Sequence, residues 1–140
     1  MIASRTCGAL RISNLTIDGN KTNSPTVGYT VVLTGDWDFT LDNVEIRNSK
    51  GPGSALTVQS TADDAKNTHS LLSKLYLHDN DGNGIYFQKH AWNWTLRDSQ
   101  ILNNGGVGIA VIDYAFPPEA GQFSNCAIAH NDISYNTWRD

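Results

Sequence analysis

The sequence predicts an all-β fold, a single-stranded parallel β-helix or solenoid of about five coils with three short parallel sheets. Three observations lead to this prediction. A nine-residue motif recurs along the chain, a short glycine-led segment recurs between its copies, and no stretch shows helical periodicity. The motif copies are ISNLTIDGN at 12–20, LDNVEIRNS at 41–49, LSKLYLHDN at 72–80, LRDSQILNN at 96–104 and IAHNDISYN at 128–136.

Each copy of the motif reads as strand followed by a turn. The first slot is always Ile or Leu, and the sixth is Ile17, Ile46, Leu77, Ile101 and Ile133. The fourth slot is Leu15, Val44 and Leu75, then Ser99 and Asn131. Slots four and six should face the same side, as alternate residues of a strand do. The ninth slot is Asn20, Ser49, Asn80, Asn104 and Asn136, which predicts a ladder of stacked side-chain amides at a turn.

The glycine-led segments predict a further strand in each period. Gly28, Gly53, Gly84 and Gly108 introduce β-prone runs at 31–33, 56–58, 85–87 and 109–111. With Leu33, Val58, Phe87 and Val111 facing inward, the outward positions are Val32, Thr57, Tyr86 and Ala110, with Thr34, Gln59, Gln88 and Ile112 beside them.

A stack of similar coils explains the repetition better than other repeat or all-β architectures. Leucine-rich repeats need a fixed Leu-x-x-Leu-x-Leu frame, whereas here the period varies freely while the strands persist. A β-sandwich has no reason to repeat the detailed sequence of its strands. In a parallel β-helix every coil must present the same face to the next coil, at about 4.8 Å spacing.

Composition excludes some classes of partner. The formal net charge is −4, and no basic patch favours nucleic acid. No apolar run is long enough to span a membrane, and no segment has the pattern of a signal peptide, which predicts either a protein that is not exported by that route or a leader upstream of this sequence. Cys7 and Cys126 are predicted to be small core residues in the first and last coils, about 19 Å apart and therefore too distant for a disulfide.

The motif copies, together with GNGIYFQKHAWNWTLRDSQILNNGGVGIAV at 82–111, resemble right-handed parallel β-helix proteins of the pectate-lyase-like superfamily. The closest similarity is to mannuronan (alginate) C5-epimerase-type and phage-tailspike-type helices, over about Arg11 to Asn136. We expect a single segment, 1–140, making a rod roughly 24 Å long. No polar end cap is recognisable, which predicts a piece of a longer β-helix, or end-to-end or trimeric self-association.

The resemblance implies that the glycine-led strands form the substrate floor. Two long insertions, 59–70 and 112–124, leave the same corner and are predicted to form walls around the shorter middle coil. The middle coil offers Gln88 and Trp92, and the walls add Asp63, Asp64 and His69 on one side and Asp113 and Tyr114 on the other. These residues are the predicted polysaccharide-binding set.

Uronic acid epimerisation or β-elimination needs a cation for the sugar carboxylate, a base for the C5 proton and an acid. Lys89 is the candidate cation, with His90 and Tyr86 as base and acid. The chain departs from the pattern of that family here, because Tyr86-Phe87-Gln88-Lys89 stands where epimerases of this type carry Asp-Pro-His-Glu. No metal site and no cofactor are predicted. Calcium is a weak alternative at Asp79-Asn80-Asp81-Gly82, which reads as a turn.

Three functions stay open at this point. The first is an enzyme that binds an acidic polysaccharide such as alginate or pectin and epimerises it or cleaves it as a lyase. The second is a protein that binds such a polysaccharide without turnover. The third is a structural rod, such as part of a tailspike or adhesin. All three predict an extracellular or virion-associated protein. His78 and His130 adjoin turns and are predicted to lie on the exterior.

Overall fold

The computed structural model describes residues 1–5, 7–24, 28–59, 69–88, 93–112 and 126–137. These residues form thirteen β-strands and include no helix that could span a membrane. The strands are β1 (Ile2–Arg5), β2 (Arg11–Asp18), β3 (Val31–Thr34), β4 (Thr40–Arg47), β5 (Leu56–Gln59), β6 (Ser70–Ser73), β7 (Tyr76–His78), β8 (Ile85–Gln88), β9 (Trp94–Arg97), β10 (Gln100–Leu102), β11 (Ile109–Ile112), β12 (Ala127–Ala129) and β13 (Asp132–Ser134).

All strand pairs are parallel, and they build the predicted solenoid. A five-stranded sheet has the order β1-β3-β5-β8-β11. A second sheet has the order β12-β9-β6-β4-β7-β10-β13, with β2 paired to β4. Each face therefore stacks five strands, separated by four steps, and the chain winds about four full turns rather than the five coils predicted.

The second sheet forms two of the three faces. In β2 and β4 the strand runs through the corner without interruption, whereas later coils split it into pairs such as β6 and β7. The corner residue of β2 is Asn14 and that of β4 is Asn43, and both have φ near +55°. A single left-handed residue turns the backbone while the ladder continues on either side of it, because Asn adopts this conformation at small cost. The sequence predicted three sheets, and the structure has three faces built from two hydrogen-bonded sheets, because the second sheet continues around a corner.

Apart from Asn20, which lies six positions after Asn14, left-handed residues recur every five positions along the second sheet and mark its corners. They form three columns across the coils: Ala9, Asp38, His69 and Asn93; Asn14, Asn43, Lys74, Asp98 and His130; and Asn48, Asp79, Asn103 and Tyr135. The middle column explains why the first and fourth slots of the motif both point inward although they are three residues apart. The corner residue between them resets the alternation of side chains.

The core consists of the files of inward residues that the motif predicts. The sixth-slot residues are in register from coil to coil: Ile17 with Ile46, Ile46 with Leu77, Leu77 with Ile101, and Ile101 with Ile133. The first-slot file is equally continuous from Ile12 to Ile128. The middle members of both files are fully buried. The prediction that equivalent residues lie over one another is confirmed.

The predicted asparagine ladder is present at Asn80, Asn104 and Asn136, whereas Asn20 is exposed and left-handed and its side-chain oxygen accepts from the Asn23 amide instead. Asn80 accepts from the Ser49 N–H (2.9 Å) and donates to the Ile46 carbonyl (3.3 Å), which are the two ends of a turn in the previous coil. Asn104 and Asn136 each make the same two kinds of bond to the turn of the preceding coil. The Asn80 amide also donates to Asn104, and the Asn104 amide to Asn136, both at 2.8 Å. Each asparagine therefore satisfies backbone groups that its neighbour's turn leaves unpaired.

Glycine is required at the start of β8 by close packing. A Cβ on Gly84 would lie 2.4 Å from Ile101 Cγ2 and 2.6 Å from the Gly108 carbonyl oxygen. The inward aromatic residue of the same strand, Phe87, stacks on Trp94 with ring centroids 4.0 Å apart. Trp94 is therefore a core residue.

Cys7 and Cys126 are not joined by a disulfide. Both are half-buried, and Cys126 packs against the core, where burial raises the pKa of its thiol.

Candidate functional site

The outward face of the five-stranded sheet is the predicted floor, and its register is as expected. Tyr86 is aligned with Thr57 on one side and Ala110 on the other, and Gln88 is aligned with Gln59. Tyr86 and Gln88 are half-buried. The sequence therefore located these two site residues on one strand of a flat, rigid surface.

A polar file runs across this floor and ends in a cation. Arg5 is aligned with Thr34, Thr34 with Gln59, and Gln59 with Gln88. Gln59 donates from its amide to the Thr34 hydroxyl at 2.9 Å, so neighbouring members of the file are already in hydrogen-bond contact. Arg5 is exposed and makes no ion pair with any described residue. We call Arg5, Thr34, Gln59 and Gln88 the polar file.

Arg5 was missed by sequence reasoning. No glycine-led segment introduces β1, so the outward column was not extended into the first coil. The alternation Ile2-Ala3-Ser4-Arg5, with Ile2 packed on the core, is the signal that could have placed Arg5 outward.

Part of the floor is covered in this structure. Thr57 points outward but is only 1% exposed, and its hydroxyl has no hydrogen-bond partner. Thr34 is also buried, whereas exposure rises toward Gln59, Gln88 and Arg5. The accessible members of the polar file are therefore Arg5, Gln59 and Gln88, with Tyr86 beside them, whereas the buried Thr34 hydroxyl bonds to Gln59.

His69 stands at the corner where the first insertion rejoins the second sheet. It is left-handed (φ 58°) and largely exposed, and its Nδ1 lies 3.5 Å from Asp38 Oδ1 in the neighbouring coil. An ion pair this exposed contributes little to stability and leaves the imidazole accessible. The other predicted residues of the site lie outside the described residues: Asp63, Asp64, Lys89, His90, Trp92, Asp113 and Tyr114.

A network of charged side chains on the face formed by β2, β4 and β7 was not predicted. Arg47 pairs with Asp18 at 3.0 Å and with Glu45 at 3.1 Å. Glu45 also accepts from His78 Nε2 at 2.9 Å, and the other imidazole nitrogen lies 2.7 Å from Asp79 Oδ2. Its members come from three coils, so the sequence signal was only that outward positions on adjacent strands carry opposite charges.

Hydrogen bonding within this network lowers the pKa of two of its carboxyl groups, those of Glu45 and Asp18. The Thr16 hydroxyl, 2.7 Å from Glu45 Oε2, and then His78 lower the pKa of Glu45. The Asn20 backbone N–H, the Asn48 amide and Arg47 lower the pKa of Asp18, and Asp18 in turn raises the pKa of Arg47. Because these side chains already bond to one another across neighbouring coils, the network is better suited to joining coils than to binding a ligand.

The two histidines predicted to lie on the exterior differ in exposure. His130 occupies a corner and its side chain is 85% exposed. His78 points outward, but its side chain is only 11% exposed because the Tyr76 ring stacks on it at 3.9 Å.

The residues suggested as a weak calcium loop are engaged in structural contacts. Asp81 pairs with Lys21 at 3.2 Å and accepts from the Gly51 N–H at 3.0 Å, while Asn80 belongs to the ladder. Among the described residues, no three His, Cys, Asp or Glu side chains are grouped so that they could hold a metal ion. A cavity of about 410 Å³ beside this turn is lined mainly by backbone, including Gly51, Gly82 and Gly106.

Comparison with known proteins identifies the family and no nearer relative. The family described as "Right handed beta helix region" matches residues 1–139. No curated protein and no solved structure matches the chain significantly. The match covers nearly every residue and agrees with the stacked parallel strands, so the chain belongs to the right-handed β-helix family.

Proposed function

We propose that this β-helix binds an acidic polysaccharide on the outward face of its five-stranded sheet. The observation that carries the proposal is the polar file, in which a guanidinium, a hydroxyl and two amides occupy four successive coils. Successive members are spaced by about 4.8 Å, and the accessible ones, Arg5, Gln59 and Gln88, offer hydrogen-bonding groups along the stacking direction of the strands. An extended polymer with repeating hydroxyl groups matches such a line.

The chemistry of the file fits a uronic acid polymer in particular. The amides of Gln59 and Gln88 can donate to and accept from sugar hydroxyls. Arg5 can form two parallel hydrogen bonds to a sugar carboxylate. Tyr86, next to the file, offers an aromatic ring for a sugar to pack on and a hydroxyl to bond it. An extracellular or virion-associated location, where such polymers are met, is part of the proposal.

We assign binding, rather than turnover, to the described floor. Of the outward residues on β1, β3, β5 and β8, only Arg5 and Tyr86 carry ionisable groups, and neither is a carboxylate or an imidazole. C5 epimerisation or β-elimination needs a base as well as a neutralising cation. Those roles would fall to His90 and Lys89, with Tyr86 as the acid, and a direct assay decides whether turnover accompanies binding.

Binding is tested by affinity electrophoresis and calorimetry with alginate, pectate and neutral dextran. We expect retention by the two acidic polymers only, weakening as salt is added. Replacing Arg5 by Gln should weaken binding about 10-fold or more, the loss expected for a hydrogen bond to a charged group. Arg11→Gln is the matched control, because Arg11 is also exposed but lies on another face, where it donates to Thr40 at 3.2 Å.

A second matched pair isolates the amides. Gln88→Ala should weaken binding, whereas Gln100→Ala, on an exposed outward position of β10, should not. Equal effects within either pair, or equal retention by dextran, would overturn the assignment of this surface. Turnover is assayed on the same samples by absorbance of unsaturated uronate and by proton NMR for C5 inversion, and either signal would replace the binding function by an enzymatic one.

A further inference from the structure

An exposed tryptophan lies at the corner where the floor ends. Trp37 follows the last residue of β3 by three positions and is 41% exposed. It belongs to the second coil, in which β3 has a strand neighbour on each side, so it does not lie on an unpaired edge. The Trp37 Nε1–H makes no hydrogen bond to any described residue. An aromatic surface with an unused donor is therefore available to a ligand at this corner.

Packing and hydrogen bonds fix the position of the indole. A Cβ on Gly8 would lie between 2.6 and 2.8 Å from three indole atoms, so the ring occupies the space that a side chain of the first coil would need. The Trp37 N–H donates to the Cys7 carbonyl at 3.1 Å, and the Trp37 carbonyl accepts from the Ala9 N–H at 3.0 Å. The buried Asp36 carboxylate accepts from the Cys7 N–H at 2.7 Å. The indole is therefore preorganised, which lowers the entropic cost of binding.

The indole adjoins the cationic end of the polar file. Gly8, which packs against the indole, is three residues from Arg5, so at most about 11 Å separate their Cα atoms. One oligosaccharide can therefore place a carboxylate on Arg5 and a further sugar on Trp37. The nonpolar face of a sugar packs on an aromatic ring, and a sugar hydroxyl can accept from the indole N–H.

The charge at this corner differs from that of Arg5. The Asp38 side chain is 53% exposed, and its Oδ1 lies 3.5 Å from His69 Nδ1. With Asp38 ionised, this pair carries no net positive charge in either protonation state of the imidazole. A sugar carboxylate here would meet another carboxylate, whereas a sugar hydroxyl can donate to Asp38. The corner therefore favours a neutral sugar.

We propose that Trp37, Asp38 and His69 form a corner subsite for a neutral sugar, next to a uronate subsite at Arg5. The ligand is then an acidic heteropolysaccharide in which uronic acids alternate with neutral sugars, rather than a polymer of contiguous uronic acids. Trp37 supplies the surface on which the sugar ring packs, and Asp38 accepts hydrogen bonds from its hydroxyls. This inference rests on the proposed binding function and makes it more specific.

Calorimetry with two oligosaccharides of equal length tests the proposal. In hyaluronan a uronic acid alternates with a neutral N-acetylated sugar, whereas in pectate every unit is a uronic acid. We expect the parent protein to bind the hyaluronan oligosaccharide more tightly. Trp37→Ala should weaken that binding about 10-fold, the loss expected when about 60 Å² of apolar contact is removed, with less effect on pectate. Asp38→Asn should strengthen pectate binding, whereas Asp98→Asn, at another left-handed corner, should not.

Gly8→Ala tests the placement of the indole without removing it. The added Cβ must displace the ring, so hyaluronan binding should fall toward that of Trp37→Ala. Gly28→Ala is the matched control, because a Cβ there would have no atom within 4 Å. The indole N–H signal of Trp37, identified by its loss in Trp37→Phe, should shift when the parent protein is titrated with hyaluronan. Circular dichroism checks that each variant is folded.

The outcomes separate the corner subsite from the binding function. If the parent protein binds both oligosaccharides equally, or if folded Trp37→Ala and Gly8→Ala bind hyaluronan like the parent, the subsite is overturned while the binding function stands. Equal effects of Asp38→Asn and Asp98→Asn on pectate binding would overturn it in the same way. If the parent protein binds neither oligosaccharide, the proposed function fails and the subsite fails with it.

Discussion

Replacing Asn104 by Ala should be among the most destabilising polar substitutions in the molecule. Asn104 is buried, and its side chain accepts from the Asn80 N–H at 3.3 Å and the Asn80 amide at 2.8 Å. It donates to the Leu77 carbonyl at 3.1 Å and to Asn136 at 2.8 Å. The substitution leaves two backbone groups of one turn, the Asn80 N–H and the Leu77 carbonyl, without their partner.

The expected loss follows from those two groups. A buried polar group left unpaired costs about 1–3 kcal/mol, so the two backbone groups together cost about 2–6 kcal/mol. Water that enters the vacated space would recover part of this, which places the expected loss at about 2–4 kcal/mol. The loss is about as large as that of removing a buried leucine side chain.

Urea unfolding followed by tryptophan fluorescence measures this loss. The slope of the unfolding free energy against urea concentration should be the same in the variant and the parent. Asn103→Gly is the matched control, because Asn103 is exposed and left-handed (φ 53°) and glycine adopts that conformation readily. We expect the control to change the free energy of unfolding by less than about 1 kcal/mol. A loss below about 1 kcal/mol for Asn104→Ala, or an equal loss for the control, would refute the capping role of the ladder.

Two further predictions concern the outer faces. The pKa of Glu45, followed by carboxyl NMR, should lie below its ordinary value, and it should rise in Thr16→Val but not in the control Thr95→Val. Because the folded-state pKa is lowered, this carboxylate stabilises the fold at pH values above its unfolded pKa. That contribution is lost as the pH falls through the folded-state pKa. Lys74 has φ 50°, so Lys74→Val should cost about 1–3 kcal/mol of unfolding free energy in a urea titration, whereas Lys74→Gly should cost less; equal losses would show that the corner does not strain a β-branched residue.

The interior of the fold could be predicted from the sequence because stacking makes equivalent positions chemically similar. The sixth-slot file from Ile17 to Ile133 and the asparagine ladder are both recognisable in the printed chain, and both are confirmed. The corners could not be predicted as well. Their left-handed residues include Ala9, Lys74 and Tyr135 as well as asparagines, since the stacked coils impose the conformation whatever the local preference.

The outer surface was predicted less completely than the core. Tyr86 and Gln88 are on the floor as expected, because alternation along β8 fixes their direction. The network of Asp18, Arg47 and His78 depends on which side chains from different coils meet at hydrogen-bond distance, and periodicity carries no information on side-chain rotamers. Arg5 was missed because β1 lacks the glycine-led signal of the other strands in its sheet.

An NMR titration of the isotope-labelled protein with a short oligouronate tests the assigned binding surface most directly. We expect amide and side-chain shifts to concentrate on the five-stranded sheet, at Thr34, Gln59, Tyr86 and Gln88, and the Arg5 guanidinium signal to move with them. Shifts that instead centre on the face of Arg47 and His78, or no shifts at saturating oligouronate, would contradict this assignment.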